Sequence, residues 1–428
     1  MTKRILILSV FVVASCGLAY ELIAGAMSSY LLGDSILQFS TIIGCYLFAM
    51  GVGAHLSKYV ADKDVLGRFI DIELAVGLIG GVSAALLFMS YAWMAAPFRT
   101  LLYVLVFMIG AMVGMEVPLV MRALNARDTA FNELVSRVLT FDYLGALAVS
   151  LLFPLVLSPH LGLVRTGFLF GMLNVGVAMW TLYVFRAELV DGGGRVLRAC
   201  AVMFALAVGF IQSDRMVEWG EHGLLGDEIV YSTTTPYQRL VITRWKDDLR
   251  LYINGNLQFS SRDEYRYHEA LVHPVLEALP WARRVLVLGG GDGLALREVL
   301  RYPNIEHVTV VDLDPAMTQA FTTRPELAKL NKAAFSDPRV NVVNADAAVW
   351  LQDTKEMFDA AIVDFPDPST FGLGKLYSVP FYGVLKNHVA ANGLVAVQST
   401  SPFFAPNAYW TIDATLREVG MKTWPYHL

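Results

Sequence analysis

The chain has 428 residues, of which 55% are hydrophobic and only 17% are charged, and its formal net charge at pH 7 is −5. This composition is too apolar for an ordinary soluble protein, and the negative charge argues against nucleic acid as a partner. The apolar excess lies in residues 1–213, whereas residues 214–428 have the composition of a soluble α/β protein. The sequence has three cysteines, and they lack the spacing of a metal site or a disulfide framework.

The first domain, residues 1–213, contains repeated apolar stretches that are long enough to cross a membrane. We predict an α-helical transmembrane bundle with seven spans, at about residues 5–31, 36–56, 69–90, 98–121, 138–157, 161–185 and 196–213. Lysine and arginine concentrate in alternate connections, which places the N-terminus and those connections in the cytoplasm. With the N-terminus in the cytoplasm, seven crossings would put residues 214–428 on the outer side of the membrane. We favour a short seventh span that does not cross, which keeps these residues on the cytoplasmic side of the inner membrane.

Five acidic residues fall inside these spans, namely Glu21, Asp71, Glu73, Glu116 and Asp142. A carboxylate in hydrocarbon costs several kcal/mol unless it is paired or faces a polar cavity. Asp71 and Glu73 lie near a span end, so we expect them to reach the interface. The three deeper acids either form a polar pocket for a cation such as a polyamine, or pair with Arg122, Arg165 or the backbone. We favour pairing.

The second predicted domain, residues 214–280, combines an interfacial linker with a small antiparallel β subdomain. Residues 229–260 alternate between apolar and polar side chains as strands do, and Asn254-Gly255 is a strong signal for a tight turn. The following stretch, RDEYRYHEALVHPVLEAL, has helical periodicity.

The third predicted domain, residues 281–428, begins with the stretch VLVLGGGDGLALREVLRYPNIEHVTVVDLD. An apolar run is followed by a glycine-rich turn, a helical pattern and a second apolar run that ends on acids. This order is typical of the start of a Rossmann-like, doubly wound α/β sheet of the class I methyltransferase type.

Asp292 lies inside the glycine-rich turn, where a carboxylate would repel the pyrophosphate of a dinucleotide. An acid there favours a cationic ligand, and a nucleoside with a positively charged sulfonium tail is such a ligand. Asp312, at the end of the second strand, suits the hydroxyl groups of a ribose. Asp314 is the alternative, because it lies two residues further on the same face.

Four segments carry a resemblance to a known family: TTPYQRLVITR, LYINGNLQFSSRDEYRYHEALVHP, VLVLGGGDGLALREVLRYP and FDAAIVDFPDP. In this order and spacing they cover about residues 229–400 and resemble the spermidine synthase family of aminopropyltransferases, in the branch with an N-terminal membrane domain. The resemblance implies decarboxylated S-adenosylmethionine as donor, methylthioadenosine as product and a polyamine or other amine as acceptor. It also implies a homodimer. The chemistry of such a donor requires no metal, because the sulfonium already provides a good leaving group.

The resemblance also implies the residues of the nucleoside site. Asp292 would pair with the ammonium group of the donor's propyl arm, and Asp346 with Ala347 would lie on the adenine side. The full set of donor-binding residues implied in this way is Gln238, Gln258, Gly289, Gly291, Asp292, Gly293, Asp312, Asp346 and Ala347.

The acceptor amine is protonated at neutral pH and must lose a proton before it attacks the donor. Residues 360–364 are predicted to form a strand that ends on Asp364, and we assign Asp364 as the general base. Tyr267 would hydrogen-bond the attacking amine, and Asp367, on the rigid turn that follows, would help to hold it.

His268 resembles a position near the amine site, so we place it with Asp292 and Asp364 among the substrate-binding residues. Residues 369–378 are predicted to form a mobile lid, on which Tyr377 and Lys375 either face the substrate or stay in solvent. Phe365 and Pro366 stand where the family's soluble members carry small hydroxyl residues. This difference leaves the acceptor open: it is putrescine or a similar amine, or else the donor's own amine, which would close a ring.

Two other functions stay open at this level. One is an S-adenosylmethionine-dependent methyltransferase, which has the same sheet but gives no reason for Asp292. The other is a polyamine or nucleoside sensor or transporter, which the acids inside the spans favour. The last residues, WPYHL at 424–428, are expected to begin a further strand of a sheet that is either truncated or reduced.

Overall fold

A computed structural model of the chain describes residues 2–32, 35–93, 98–125, 131–187, 189, 192–368 and 371–427. The chain divides into two compact units, Met1–Asp227 and Glu228–Leu428. In its described residues the first unit is helical, whereas the second contains both sheets of the protein. The change in composition along the sequence therefore coincides with a change of architecture.

Seven long helices make up most of the described part of the first unit. They are α1 (Thr2–Leu32), α2 (Ser35–Leu56), α3 (Val65–Trp93), α4 (Phe98–Asn125), α5 (Phe131–Leu152), α6 (Ser158–Val184) and α7 (Gly192–Leu225). A π-helical turn, Phe153–Leu157, joins α5 to α6, and it contains Pro154, whose missing N–H disturbs regular helix. Gly162 has a φ of +74°, so the first turn of α6 is broken there.

Six stretches of the described residues are long and apolar enough to cross a membrane: Leu8–Ser29, Leu37–Tyr59, Asp62–Tyr91, Phe98–Leu124, Asn132–Val184 and Gly192–Glu221. The fifth has 53 residues. A helix of that length would measure about 80 Å, against about 30 Å of hydrocarbon. Because Gly162 breaks this stretch, it accounts for two of our seven predicted spans.

The last span and the linker differ from the prediction. We expected a short span at 196–213 and a linker at 214–230, but α7 runs without a break for 34 residues to Leu225. The charged residues of 214–225 therefore belong to the end of a helix. The polar residues from Asp214 onwards predicted the end of the span. A helix can nevertheless continue beyond the apolar layer, where polar side chains are solvated.

The acids of the helical unit also differ from the prediction. Glu73 is fully buried instead of reaching an interface, and Glu116 is 1% exposed. The arginines proposed to pair with the deeper acids bind elsewhere: Arg122 forms an ion pair with Asp62, and Arg165 with Asp214. These guanidinium groups bind acids that are mostly exposed, where the ions keep part of their hydration.

The second unit begins with four antiparallel strands in the order β1-β2-β3-β4, as predicted for the small β subdomain. They are β1 (Glu228–Thr234), β2 (Arg239–Trp245), β3 (Asp248–Ile253) and β4 (Asn256–Ser260). Asn254 and Gly255 form the turn between β3 and β4 with φ values of 50° and 80°. Both are positive, as a type I′ hairpin turn requires.

Five parallel strands form the second sheet, in the order β7-β6-β5-β8-β9. They are β5 (Arg284–Gly289), β6 (His307–Asp312), β7 (Val340–Asn344), β8 (Phe358–Asp364) and β9 (Val389–Val397). The order reverses beside β5, which confirms the predicted doubly wound sheet. The helices of this unit are α8 (Glu264–Ala278), α9 (Leu294–Val299), α10 (Pro315–Thr323), α11 (Pro325–Leu330), α12 (Ala347–Asp353), α13 (Phe371–Gly374), α14 (Val379–Asn387) and α15 (Pro406–Glu418).

Apolar side chains on both faces of the parallel sheet fix it between its helices. The small sheet packs through Leu240, Ile242 and Phe259 against α10, where Phe259 meets Phe321 edge to face. This packing brings the β1–β2 turn next to the end of β6. The predicted strand at 424–428 is wrong for the described residues. Residues 421–427 are irregular, and the Tyr426 hydroxyl donates to the carbonyl of Ala270 on α8.

Candidate active site

The carboxyl ends of β5, β6 and β8 meet where the strand order reverses, which is where doubly wound sheets bind their ligands. Gly289 ends β5 and lies in register with Asp364 at the end of β8. Asp312 ends β6 on the other side of β5. The topology therefore brings two of the predicted site acids to either side of the glycine-rich turn.

Two glycines of this turn are required by close contacts. A Cβ on Gly289, which has a φ of +77°, would lie 2.2 Å from the carbonyl oxygen of Asp364. A Cβ on Gly291 would lie 2.6 Å from the Asp312 carboxyl carbon. Any side chain at either position would push an acid out of place, so the glycines hold the acids close together.

Asp292 follows these glycines and accepts a hydrogen bond from the Leu294 backbone N–H at 2.9 Å. It keeps an exposed edge, but the surrounding protein removes most of its hydration, which raises the pKa of Asp292 to about 6. His268 lowers this pKa and Asp364 raises it. The carboxylate is thus a costly negative charge that a cation would stabilise.

Asp312 accepts hydrogen bonds from the backbone N–H groups of Gly291 at 3.1 Å and of Asp314 at 2.9 Å. Burial raises its pKa to about 6, although both hydrogen bonds oppose the shift. Asp314, the alternative for the ribose, is 1% exposed and caps α10 through the Ala316 N–H. Its other carboxylate oxygen accepts from Thr235 and Gln238, so Asp314 fixes the small sheet instead.

Tyr267 and Asp364 form a direct pair across the site. The Tyr267 hydroxyl donates to the Asp364 carboxylate at 2.5 Å. Burial and the neighbouring Asp364 charge raise the pKa of Tyr267 well above its ordinary value, so Tyr267 stays protonated and can donate. We predicted that this hydroxyl meets the amine, and its observed partner is the predicted base.

His268 is 3% exposed and lies edge to face against Tyr267. Its Nδ1 is 2.8 Å from both the backbone oxygen and the carboxylate of Glu264. Burial lowers the pKa of His268, but the bond to Glu264 and the nearby charges of Asp292 and Asp364 raise it more, so the net pKa is raised. This environment therefore favours the protonated imidazole, which would lie behind the site acids.

A buried ion network that the sequence reasoning missed supports this histidine. Arg297 donates to both carboxylate oxygens of Glu264, at 2.8 and 2.9 Å, and also to Glu298 at 2.8 Å. Glu264 and His268 stand four residues apart on α8, a spacing that could have indicated their contact. Nothing local in the sequence points from Glu264 to Arg297, 33 residues away on α9.

Asp367 is exposed, and its carboxylate accepts a hydrogen bond from the Gln398 side chain at 2.6 Å. Gln398 follows β9, and sequence reasoning missed it. The Tyr377 hydroxyl donates to the Gln398 side chain and to the backbone oxygens of Phe365 and Pro366. Tyr377 is 6% exposed and holds the turn that carries Asp367, so its predicted contact with the substrate gains no support from these contacts.

Asp346 caps α12 through the Ala348 N–H and forms an ion pair with Lys375 at 2.6 Å. Burial raises the pKa of Asp346, but the bond to Lys375 lowers it more, so the net pKa is lowered. Ala347 lies beside it, 7% exposed. The predicted lid is partly helical over 371–377, and its residues 369 and 370 lie outside the described part of the chain.

The observed hydrogen bond of Gln258 is not made to these acids. It is exposed on β4, and its side-chain amide donates to the backbone oxygen of Asn256 at 3.2 Å. The predicted contact of Gln258 with a nucleoside thus gains no support from this structure, whereas Gln238 is placed at the end of β6 through Asp314.

One group of potential metal ligands occurs among the described residues: Glu269, His273 and Glu298. The guanidinium of Arg301 binds Glu269 at 3.1 Å and Glu298 at 2.6 Å and lies 3.3 Å from His273 Nε2. Arg301 therefore supplies the positive charge at this cluster, and we assign no metal to it.

Comparison with known proteins gives a consistent result. The model of the spermine/spermidine synthase domain matches residues 264–428. A polyamine aminopropyltransferase of Ralstonia nicotianae is 67% identical over 99% of this chain and 84% of its own length. One of Leptospira interrogans is 49% identical over 99% of this chain and 84% of its own. A spermidine synthase crystallised with the transition-state analogue AdoDATO aligns at 27% identity and a TM-score of 0.43, over 45% of this chain and 65% of that one.

Proposed function

Because this chain belongs to the spermidine synthase family of polyamine aminopropyltransferases, we propose that it moves the aminopropyl group of decarboxylated S-adenosylmethionine to an amine. Methylthioadenosine is released, and putrescine or a similar diamine is the acceptor. The observation that carries this proposal is the meeting of Asp292, Asp312 and the Tyr267–Asp364 pair at the carboxyl ends of three neighbouring strands.

Recognition of the donor rests on its positive charge. Decarboxylated S-adenosylmethionine carries a sulfonium and a propyl ammonium, and Asp292, whose pKa is raised to about 6 by burial, gains most from such a partner. S-adenosylmethionine itself would bring a carboxylate towards Asp292 and would be disfavoured. Asp312 would take the ribose hydroxyls, and Asp346 with Ala347 the adenine. Asp292 and this discrimination disfavour the methyltransferase alternative.

Activation of the acceptor needs removal of one proton from an ammonium group. Asp364 would accept that proton, and Tyr267, which hydrogen-bonds Asp364, would hold the carboxylate in position. Methylthioadenosine is a good leaving group, because its sulfur is positively charged in the donor. The remaining contribution to the rate is the alignment of the amine with the donor carbon, for which effective molarities are large. Asp367, held by Gln398 at 2.6 Å, would orient the amine from the other side.

The acceptor side also bears on the choice of amine. Phe365 is 7% exposed and packs against Tyr377 and Phe381, so it contributes to the core and leaves little surface for a substrate. Acids on both sides of this turn favour an acceptor with two positive ends, such as putrescine. Cyclisation of the donor would use Asp364 but would leave Asp367 without a substrate ammonium group to bind.

We further propose that the helical unit anchors the enzyme in the inner membrane with the α/β unit in the cytoplasm, where the donor is made. The expectation of a short seventh span that does not cross is wrong, because α7 has 34 residues and is long enough to cross. With seven crossings, a cytoplasmic α/β unit requires the N-terminus on the opposite side, against the side predicted from the basic connections.

Large apolar side chains on several helices are exposed, with Phe48 at 67%, Phe204 at 71% and Ile211 at 73%. Lipid would cover such side chains, which water would not favour. Protection of the α/β unit from protease in sealed right-side-out vesicles, and its loss when they are opened, tests this orientation. Cleavage in the sealed vesicles would contradict it.

Incubation of the purified full chain with the decarboxylated donor and single amines tests the function. We expect methylthioadenosine and an aminopropylated amine in equal amounts, with putrescine as the best acceptor. Methylthioadenosine formed without any added amine would indicate donor cyclisation. Methyl transfer from S-adenosylmethionine would establish the alternative enzyme, and nucleoside binding without turnover would establish a sensor.

A further inference from the structure

The centre of the helical unit contains two acids that the aminopropyl transfer does not use. Glu73 on α3 is 0% exposed and Glu116 on α4 is 1% exposed. They lie close enough for their charges to interact, and neither forms an ion pair with any residue that the structure describes. Two carboxylates in such a position are costly unless something neutralises them.

Four polar atoms at this centre have no hydrogen-bond partner although protein covers them. They are the Tyr20 Oη, Glu73 Oε1, Glu116 Oε1 and Asn174 Oδ1 atoms, contributed by α1, α3, α4 and α6. Asn174 donates its amide N–H to the other Glu73 oxygen at 2.9 Å, which orients the pair. Buried polar atoms are nearly always satisfied, so four unsatisfied oxygens from four helices indicate a missing partner. Three of the four can only accept, so that partner must be a donor or a cation.

The titratable groups around these acids supply no positive charge. Helix α1 contributes Cys16 and Tyr20, α2 contributes Tyr46, and α5 contributes Asp142, the last two in electrostatic contact with Glu116. On α7, Arg195 and Arg198 bind Asp71, which lies two residues before Glu73 and so does not share its face of α3. Neutral or acidic groups therefore surround the cluster.

We propose that the helical unit binds one small monovalent cation, a sodium ion or a proton, between Glu73 and Glu116. Asn174 and Tyr20 would complete the oxygen shell of a sodium ion. Oxygen ligands suit hard cations. Four protein oxygens are too few for calcium, and magnesium keeps several waters that this covered site does not provide for. The four atoms are fully covered, which favours an ion of atomic size over a polyamine. Such intramembrane sites mark ion pathways, so this unit would be more than an anchor.

Thermal unfolding of the full chain in detergent micelles tests the site and separates the two sources of charge. If sodium is the ligand, the Tm rises by several degrees when choline chloride is replaced by sodium chloride at constant pH and ionic strength. If the proton is the ligand, sodium has no effect and the Tm falls as the pH rises from 6 to 9. Glu116→Gln removes the dependence in either case, whereas the control Glu218→Gln, at an exposed position on α7, keeps it.

A measurement of proton release and uptake covers the case in which Glu116→Gln does not fold. Sodium that replaces a proton at the site releases that proton into a weakly buffered solution, and choline does not. If only the proton binds, sodium releases no proton. Lowering the pH from 9 to 6 then makes the unmodified chain take up about one proton per chain more than the Glu73→Gln variant does. A Tm that depends on neither sodium nor pH, or a Tm raised only by putrescine, would overturn the proposal. Aminopropyl transfer by the variants checks separately that the α/β unit is intact.

Discussion

The α/β unit and the helical unit both bury acidic side chains, but they treat them differently. In the α/β unit, Glu264 is buried with a bidentate arginine and a histidine, and all its charge is met within the protein. In the helical unit, Glu73 has only the Asn174 amide, and Glu116 has no partner among the described residues. A satisfied buried acid supports a structure, whereas an unsatisfied one indicates a ligand.

The same distinction separates acids within the active site. Asp314 is surrounded by donors and fixes α10 to the small sheet. Asp292 has one backbone donor and a raised pKa of about 6. We therefore assign structure to Asp314 and ligand recognition to Asp292, although each lies shortly after a strand of the parallel sheet.

Loss of the predicted base should have the largest effect. Asp364→Asn keeps the hydrogen bond to Tyr267 but cannot accept a proton, so we expect kcat for methylthioadenosine release to fall about 1,000-fold. Asp353→Asn, at an exposed position on α12, should change kcat less than twofold. A variant that keeps half of the activity would remove Asp364 from the mechanism.

Loss of a satisfied buried acid should instead destabilise the α/β unit. Glu264→Gln leaves Arg297 buried with less compensation, and we expect the opening free energy of α8 and α9 to fall by about 3 kcal/mol. Hydrogen exchange of their amides measures this value. Glu306→Gln breaks the exposed pair with Arg283 and should cost less than about 1 kcal/mol. Equal effects of the two changes would contradict the comparison.

The pH dependence of kcat/KM for the donor tests the acids that we assign to donor binding. Asp292 and Asp312 have pKa values of about 6 and must be ionised to bind the donor, so kcat/KM should fall as pH drops through 6. Half a unit below that, we expect a loss of about tenfold relative to pH 7.5. With Asp312→Asn the remaining fall should follow a single ionisation. A flat profile down to pH 5 would contradict the assignment.

The smallest effect is expected at the lid. Lys375 binds Asp346, which the donor's adenine would need, so the two compete. Lys375→Ala should lower the KM for the donor about two- to fivefold and leave kcat unchanged, since an exposed ion pair contributes at most about 1 kcal/mol. Lys386→Ala, outside the lid, is the control. A raised KM would mean that Lys375 binds the donor itself.

Much of the site could be predicted because it follows from local patterns. The run from Val285 to Asp312 specifies a strand, a glycine turn and a second strand, and the end of β8 specifies the position of Asp364. Parallel pairing then brings these ends together without any further information. The same holds for the β3–β4 hairpin, which Asn254 and Gly255 determine.

Other contacts could not be predicted because they join distant segments. Gln398 reaches Asp367 across 31 residues, and Arg297 reaches Glu264 across 33, with no spacing rule to connect them. The burial of Glu73 depends on which face of α3 packs inward. The apolar side chains of α3 itself lie on all of its faces. Hydrophobicity could therefore identify the helix but could not orient it.

Asp292 would recognise the donor by its positive charge, and donor binding tests this role directly. Titration calorimetry would give the Kd of decarboxylated S-adenosylmethionine and of S-adenosylmethionine for the unmodified chain and for Asp292→Asn. We predict that the unmodified chain prefers the decarboxylated donor and that the variant binds it about 100-fold more weakly, with most of the preference lost. An unchanged Kd and an unchanged preference in the variant would contradict the account.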